Sequence, residues 1–356
     1  MQVGISLPIG HSVPKDAQEI FTYGIEAERL GAAYAWSPEA WNYDAVTPLG
    51  YLAAKTSRIK LGTGIMQAGT RTPALVAMTA LTLAWISNDR FILGLATSGP
   101  QVIEGWHGIP FKPPLARMRE IVEIVRMVSR GERLTYKGKV YELPRPGGEG
   151  KALRSGAHPR HIPIYIGALT PKSLEMTGEI ADGWLGVHCA PEYADIFFEA
   201  IARGAAKAGR KLSDLDLRAS SYVEFTDDVE RAVAKRKPDY AFHLGGMGSR
   251  KTNFYNATYA RAGYAEEAKR IQDLWMEGKR DEATALVPEH MVTRIDMIGT
   301  EPMIRERIRR FRDAGVTSLR VGPAGKTLDD KLETLARTIK LVDEVSKEAS
   351  KSPRAA

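Results

Sequence analysis

Two indoles flank a carboxylate in Trp36-Ser37-Pro38-Glu39-Ala40-Trp41, an arrangement suited to bounding a flat aromatic ligand while the acid handles a proton. A loop whose indoles cap the core uses the same residue types. A second segment runs from Ala96 through Thr97, Ser98, Gly99 and Pro100 to Glu104, Trp106 and His107. Its small residues admit a planar ring edge or a phosphate. Glu104 and His107 are acid/base candidates, Glu104 ranking first because a lone imidazole more often serves structure. The third, Gly167-Ala168-Leu169-Thr170-Pro171, ends in a helix N-cap and first-turn proline, where free amides can hold a phosphate. An ordinary capped helix reads the same way. Around Gly62-Thr63-Gly64-Ile65-Met66-Gln67 the glycines allow close backbone approach to a ligand, or a bulge.

Strand patterns at 3–8, 33–37, 59–65, 90–96, 162–167, 184–187, 215–225 and 318–321 alternate with helical periodicity. Such alternation requires a parallel sheet covered by helices, and eight strands match the α/β class with a closed (β/α)8 TIM barrel. Each candidate segment then follows a strand, at the end where such barrels keep their chemistry. One domain over 1–350 is expected, with a flexible tail at 351–356. Two insertions exceed the simple barrel. After strand 4, residues 131–160 carry a hairpin signal and a Gly/Pro/basic run. After strand 7, residues 238–295 open with Leu244-Gly245-Gly246-Met247-Gly248 and form a candidate lid or cofactor clamp. The apolar stretch 73–86 reads as a buried helix, and the Arg-rich stretch 304–312 as a solvated outer one.

The chain has 356 residues, 44% hydrophobic and 26% charged, the profile of a soluble globular protein. A formal charge of +7 favours anionic partners or simply marks a slightly basic surface. The single thiol, Cys189, suits a reducing compartment, with the cytoplasm as the expectation. No secretion signal, membrane span or basic nucleic-acid element stands out, so neither membrane nor nucleic acid is an expected partner. There is no P-loop, HExxH or GxSxG, and the seven histidines lack metal-ligand spacing. No metal is expected.

An ordered set of motifs resembles the luciferase-like monooxygenase superfamily, and within it the oxidoreductases that use the deazaflavin coenzyme F420. It includes Ala27-Glu28-Arg29-Leu30-Gly31, Ile59 to Gly64, Arg71-Thr72-Pro73, Ser87 to Leu95, Ser98-Gly99-Pro100, Gly108-Ile109-Pro110-Phe111, Pro163 to Ala168, Gly178 to Gly183 and Arg312 to Thr317. The resemblance spans nearly the whole chain. It implies a ring in the barrel mouth, supported by a bulge in strand 3 whose Gly64–Ile65 bond is cis. Trp36 and Met66 would stand near that ring, Ala96 to Pro100 at its edge, and Gly167 to Thr170 near the phosphate. Arg250, in a run resembling one of the deazaflavin branch, would meet the coenzyme's acidic tail. Many relatives carry an acid followed by histidine where this chain has Glu39 and Ala40. Proton transfer therefore shifts to Glu39, with Glu104 or His107 as substitutes. The expected reaction is hydride transfer between coenzyme F420 and a small organic substrate, in a homodimer. An FMN-dependent monooxygenase, a narrower methylene-pterin reductase, and a non-catalytic flavin-binding protein, which Ala40 favours, are the alternatives.

Overall fold

The computed structural model describes residues 1–9 and 16–351. Eight strands form the barrel: β1 (Gln2–Ser6), β2 (Tyr34–Ser37), β3 (Lys60–Thr63), β4 (Phe91–Ala96), β5 (Ile164–Gly167), β6 (Gly183–Leu185), β7 (Asp216–Phe225) and β8 (Ser318–Pro323). All neighbours are parallel, and β8 pairs with both β7 and β1, which closes the ring. The expected TIM barrel is what forms. All four residues of β2 are buried, because one face of a barrel strand meets the helices and the other the filled interior.

The helices used below are α1 (Ala17–Arg29), α2 (Val46–Lys55), α3 (Pro73–Ile86), α4 (Pro114–Ser129), α5 (Pro171–Ile180), α6 (Asp195–Lys207), α7 (Val229–Gly245), α8 (Phe254–Tyr259), α9 (Ala265–Met276), α10 (Glu301–Asp313) and α11 (Leu328–Lys351). Thr72 and Thr170 cap α3 and α5 with their hydroxyls, each followed by a proline in the first turn. In α10, Ile304, Ile308 and Phe311 face the core while Arg305 and Arg309 pair with Glu344 and Glu348 of α11. Helix α3 departs from its expectation. Its inner face is buried, but Leu75, Met78, Trp85 and Ile86 lie exposed, Trp85 at 65%. A helix apolar all round reads as fully buried whatever covers its outer face.

The insertion after β4 holds a small antiparallel hairpin, Tyr136–Lys137 with Glu142–Leu143. The insertion after β7 contains α7, α8 and α9, and returns through Met297–Gly299, which pairs with the C-terminal end of β7. One cluster of buried apolar side chains runs from Val3 to Val345. The expected tail lies outside the described residues except for Lys351, which ends α11. No helix among the described residues is long and apolar enough to cross a membrane.

Candidate active site at the mouth of the barrel

The end of β3 is irregular in a way that register makes explicit. Gly62 stands opposite Ile92, but the next pair along is Met66 opposite Leu95, in a short strand Met66–Gln67. Four steps on one strand therefore match three on its neighbour, the definition of a one-residue bulge. The Gly64–Ile65 bond within it is cis. Gly64 donates its amide to the Ser37 carbonyl at 2.7 Å, and the Ile65 carbonyl accepts from the Glu39 amide at 3.1 Å, so the bulge is tied to the end of β2. Thr63 is tied to β4 in turn, its hydroxyl bonding both the amide and the carbonyl of Gly94. A methyl group at Gly94 would run into the Thr63 carbonyl.

Ile65 is half-buried and meets the ends of β4 and β5. A Cβ at Gly167 would stand 3.2 Å from Ile65 Cγ2 and 3.3 Å from Ala96 Cβ. Three strand ends thus meet in a close-packed floor of one isoleucine, one alanine and one glycine. Thr97, Ser98, Gly99 and Pro100 follow Ala96 as a half-buried rim, with Ser98 at φ 56°. Trp36 and Met66 do not line this floor. Trp36 is 1% exposed and packs beneath Gly62 and Gly64, with the Arg218 guanidinium 4.7 Å from its ring centre on the other side. Met66 is fully buried. Both support the bulge from within.

Glu39 sits at the centre of a hydrogen-bonded series. Arg71 grips it with two bonds of 2.8 Å, and the amides of Gln67 and Ala45 reach the same two oxygens at 3.1 and 3.2 Å. Its side chain is 8% exposed. Four donors fix this carboxylate as an acceptor. Gln67 donates its amide nitrogen to the Ala40 carbonyl at 2.7 Å, which leaves its oxygen for His107 Nε2, also at 2.7 Å. The imidazole must then donate from Nε2, and its Nδ1 has no partner among the described residues. That nitrogen is left to a ligand. Glu104 is exposed and accepts from the Phe111 amide at 3.1 Å.

Beyond β5, Ala168 is buried and its carbonyl accepts from Trp184 Nε1, while Thr170 and Ser173 form a capping box at the start of α5. Arg250, expected at the coenzyme's acidic tail, is 64% exposed, with Asp273 as its ion-pair partner at 3.8 Å. Arg261 is the cation that reaches this loop. Its Nη2 donates to the Leu169 carbonyl at 2.5 Å and its buried Nε has no partner. Burial lowers its pKa, as expected of a cation held for an anion that would offset its desolvation. Sequence reasoning missed Arg261 because it follows the Gly-rich run by a full helix.

The opposite wall was also missed. His188 follows β6 at φ 54°, half-buried, with Nδ1 2.9 Å from the Tyr259 hydroxyl. The rings of His243 and Tyr255 stand 4.5 and 5.4 Å from it, brought there by α7 and α8. Desolvation, then the charges of His243, Arg236 and Arg320, push its pKa well below the ordinary value. Its place just past a barrel strand was the available signal.

A strand-3 bulge at the mouth of a closed barrel is the feature that the resemblance implied. The profile of the luciferase-like monooxygenase family matches residues 1–318, and the chain belongs to that family. It is 39% identical, over 90% of its length and 94% of the relative's, to a Mycobacterium tuberculosis protein provisionally named a coenzyme F420-dependent oxidoreductase. It is 30% identical to the 5,10-methylenetetrahydromethanopterin reductase of Archaeoglobus fulgidus, over 88% of this chain and 92% of that one. Among solved structures, the coenzyme F420-dependent tetrahydromethanopterin reductase of Methanopyrus kandleri superposes with a TM-score of 0.76 at 26% identity, covering 96% of this chain and 98% of that one.

Proposed function

We propose that this protein is an oxidoreductase that transfers a hydride between coenzyme F420 and a small organic substrate at the barrel mouth. The observation that carries the reading is the strand-3 bulge at the barrel mouth, which packs Ile65 against the small residues Ala96 and Gly167. The relatives named for F420 support the choice of coenzyme. Bound there, the deazaflavin would supply a two-electron hydride carrier that reacts poorly with oxygen. Ile65 supports one ring face, and Ala96 to Pro100 border the edge. Arg261, with the capped start of α5, holds the phosphate through its unpaired Nε. His107 moves the proton at Nδ1. Glu39, Arg71 and Gln67 fix the imidazole's place, so Glu39 acts as a positioning residue. The protein binds, orients and shields.

Titration of the purified protein with F420 and, separately, FMN, followed by Trp and ligand fluorescence, tests this. Micromolar or tighter binding of F420 in preference to FMN is the expected result. Preference for FMN would shift the reading to oxygen chemistry, and binding of neither would overturn it. We also propose a homodimer joined through the exposed apolar face of α3, since Leu75, Met78, Trp85 and Ile86 form a patch of the kind interfaces cover. Sedimentation should show a dimer for the wild type and a monomer for Trp85→Glu; a wild-type monomer would rule it out.

A further inference from the structure

Alternate residues of a barrel strand face the interior, and on β7 and β8 three of these are Arg218, Ser220 and Arg320. Arg218 stacks on Trp36, and Arg320 Nε donates to the Ser220 hydroxyl at 3.1 Å. The strands are in parallel register with Ser220 opposite Arg320 and Arg218 opposite Ser318. Arg320 therefore stands one side-chain layer above Arg218, toward the mouth.

Neither guanidinium forms an ion pair with a carboxylate among the described residues. Arg218 is 2% exposed, and its Nε and Nη1 have no hydrogen-bond partner at all. The nearby acid, Asp216, is taken up by the hydroxyls of Tyr165, Thr317 and Ser318. This contrasts with Arg236 on α7, which has Asp296 at 2.9 Å and Asp239 besides. Arg236 is thus matched by acids, as Arg218 and Arg320 are not. Desolvating a cation without one is costly, and such groups concentrate at functional sites.

Arg320 is half-buried, where Arg218 beneath it is 2% exposed. His188 and Tyr255 are half-buried on the insertion side, their rings meeting edge to face with centres 5.4 Å apart. Arg320 acts electrostatically on both, lowering the pKa of the Tyr255 hydroxyl against its burial and that of His188 as a like charge. A cation bordered by rings accepts a flat anion, whose charge pairs with the guanidinium while its plane packs on the aromatics. The proposed phosphate contact at Arg261 serves the loop after β5, three strands away around the ring.

We propose that Arg320 binds the carboxylate of a planar, conjugated organic substrate whose plane packs against the outer surface of the His188–Tyr255 ring pair, with Arg218 beneath as a second source of positive potential. This deepens the F420 reading and rests on it for the word substrate. The test uses the F420-loaded protein and compares benzoate with its neutral isostere benzamide, following the absorbance of bound F420 and Trp fluorescence. Benzoate is expected to bind roughly tenfold or more tightly than benzamide. Arg320→Met should erase that preference and Arg320→Lys should keep part of it, with F420 affinity unchanged in both and the fold checked by circular dichroism. No saturable benzoate binding, equal affinities in the wild type, or a preference that survives Arg320→Met would overturn the proposal. Failure of F420 to bind, with the benzoate preference intact in the unloaded protein, would instead remove the coenzyme reading and leave the anion site.

Discussion

On the β3 side of the mouth the polar groups are tied in series. Glu39 is saturated by Arg71 and two amides, and Gln67 links that carboxylate to His107. On the insertion side, Arg320 has one hydroxyl partner, Arg218 has two unpartnered nitrogens, and His188 stands among aromatic rings. The difference separates two tasks. A group that must be in place before the ligand arrives is fixed by protein partners, because preorganised geometry needs no rearrangement at the moment of reaction. A group kept for the ligand retains unsatisfied donors, and the ligand then offsets the cost of burying them. The proposed coenzyme platform lies on the first side and the proposed substrate wall on the second.

The sharpest way to break this comparison is to cut the tied side at its centre. Glu39→Gln leaves the Arg71 guanidinium, 21% exposed, without its carboxylate. Removing one partner of such a half-buried pair costs up to about 3 kcal/mol, which chemical denaturation would detect, and turnover should fall with it as Gln67 and His107 lose their anchor. A loss under about 1 kcal/mol would mark the pair as no stronger than a surface contact. His107→Gln comes next. It preserves a polar contact to Gln67 while removing the ring nitrogen, and should lower kcat by about 10²- to 10⁴-fold with F420 affinity and stability unchanged. If kcat holds, the proton passes elsewhere, and Glu104→Gln is the variant to measure against it.

The architecture was legible because parallel barrel strands are apolar runs separated by helix starts that announce themselves, as Thr72-Pro73 and Thr170-Pro171 do. Which side of a strand faces the interior was not. All of Tyr34, Ala35, Trp36 and Ser37 are buried, so no alternation in polarity shows that Trp36 points inward under the bulge. The bulge itself followed from resemblance, since four residues facing three leave no mark in hydrophobic periodicity. The Glu39–Arg71 pair joins residues 32 positions apart on different loops, a separation local patterns cannot span. Arg261, which reaches the loop after β5 from the far end of an insertion helix, could not be placed there by local pattern, because the path of helices in an insertion decides which cation returns to the barrel. Arg218 and Arg320 did leave a trace: each is the single cation of its strand, between apolar neighbours or small residues.

The smallest effect belongs to the insertion side and depends on pH. Burial and the neighbouring charges of His243, Arg236 and Arg320 hold His188 neutral in the fold, well below its ordinary pKa. In the unfolded chain the same imidazole takes up a proton near pH 6.5. Below that pH the unfolded state binds the extra proton, so the stability associated with His188 is complete above about pH 6.5 and declines as the pH falls toward the folded value, by at most about 1.4 kcal/mol per unit. His188→Gln removes this titration. Its denaturation free energy should therefore fall less between pH 7 and pH 5 than that of the wild type, whatever the two values are at pH 7. Parallel pH profiles would show that His188 is solvated enough to protonate in place. The insertion side would then lack the dry, cation-crowded environment that sets it apart from the tied side.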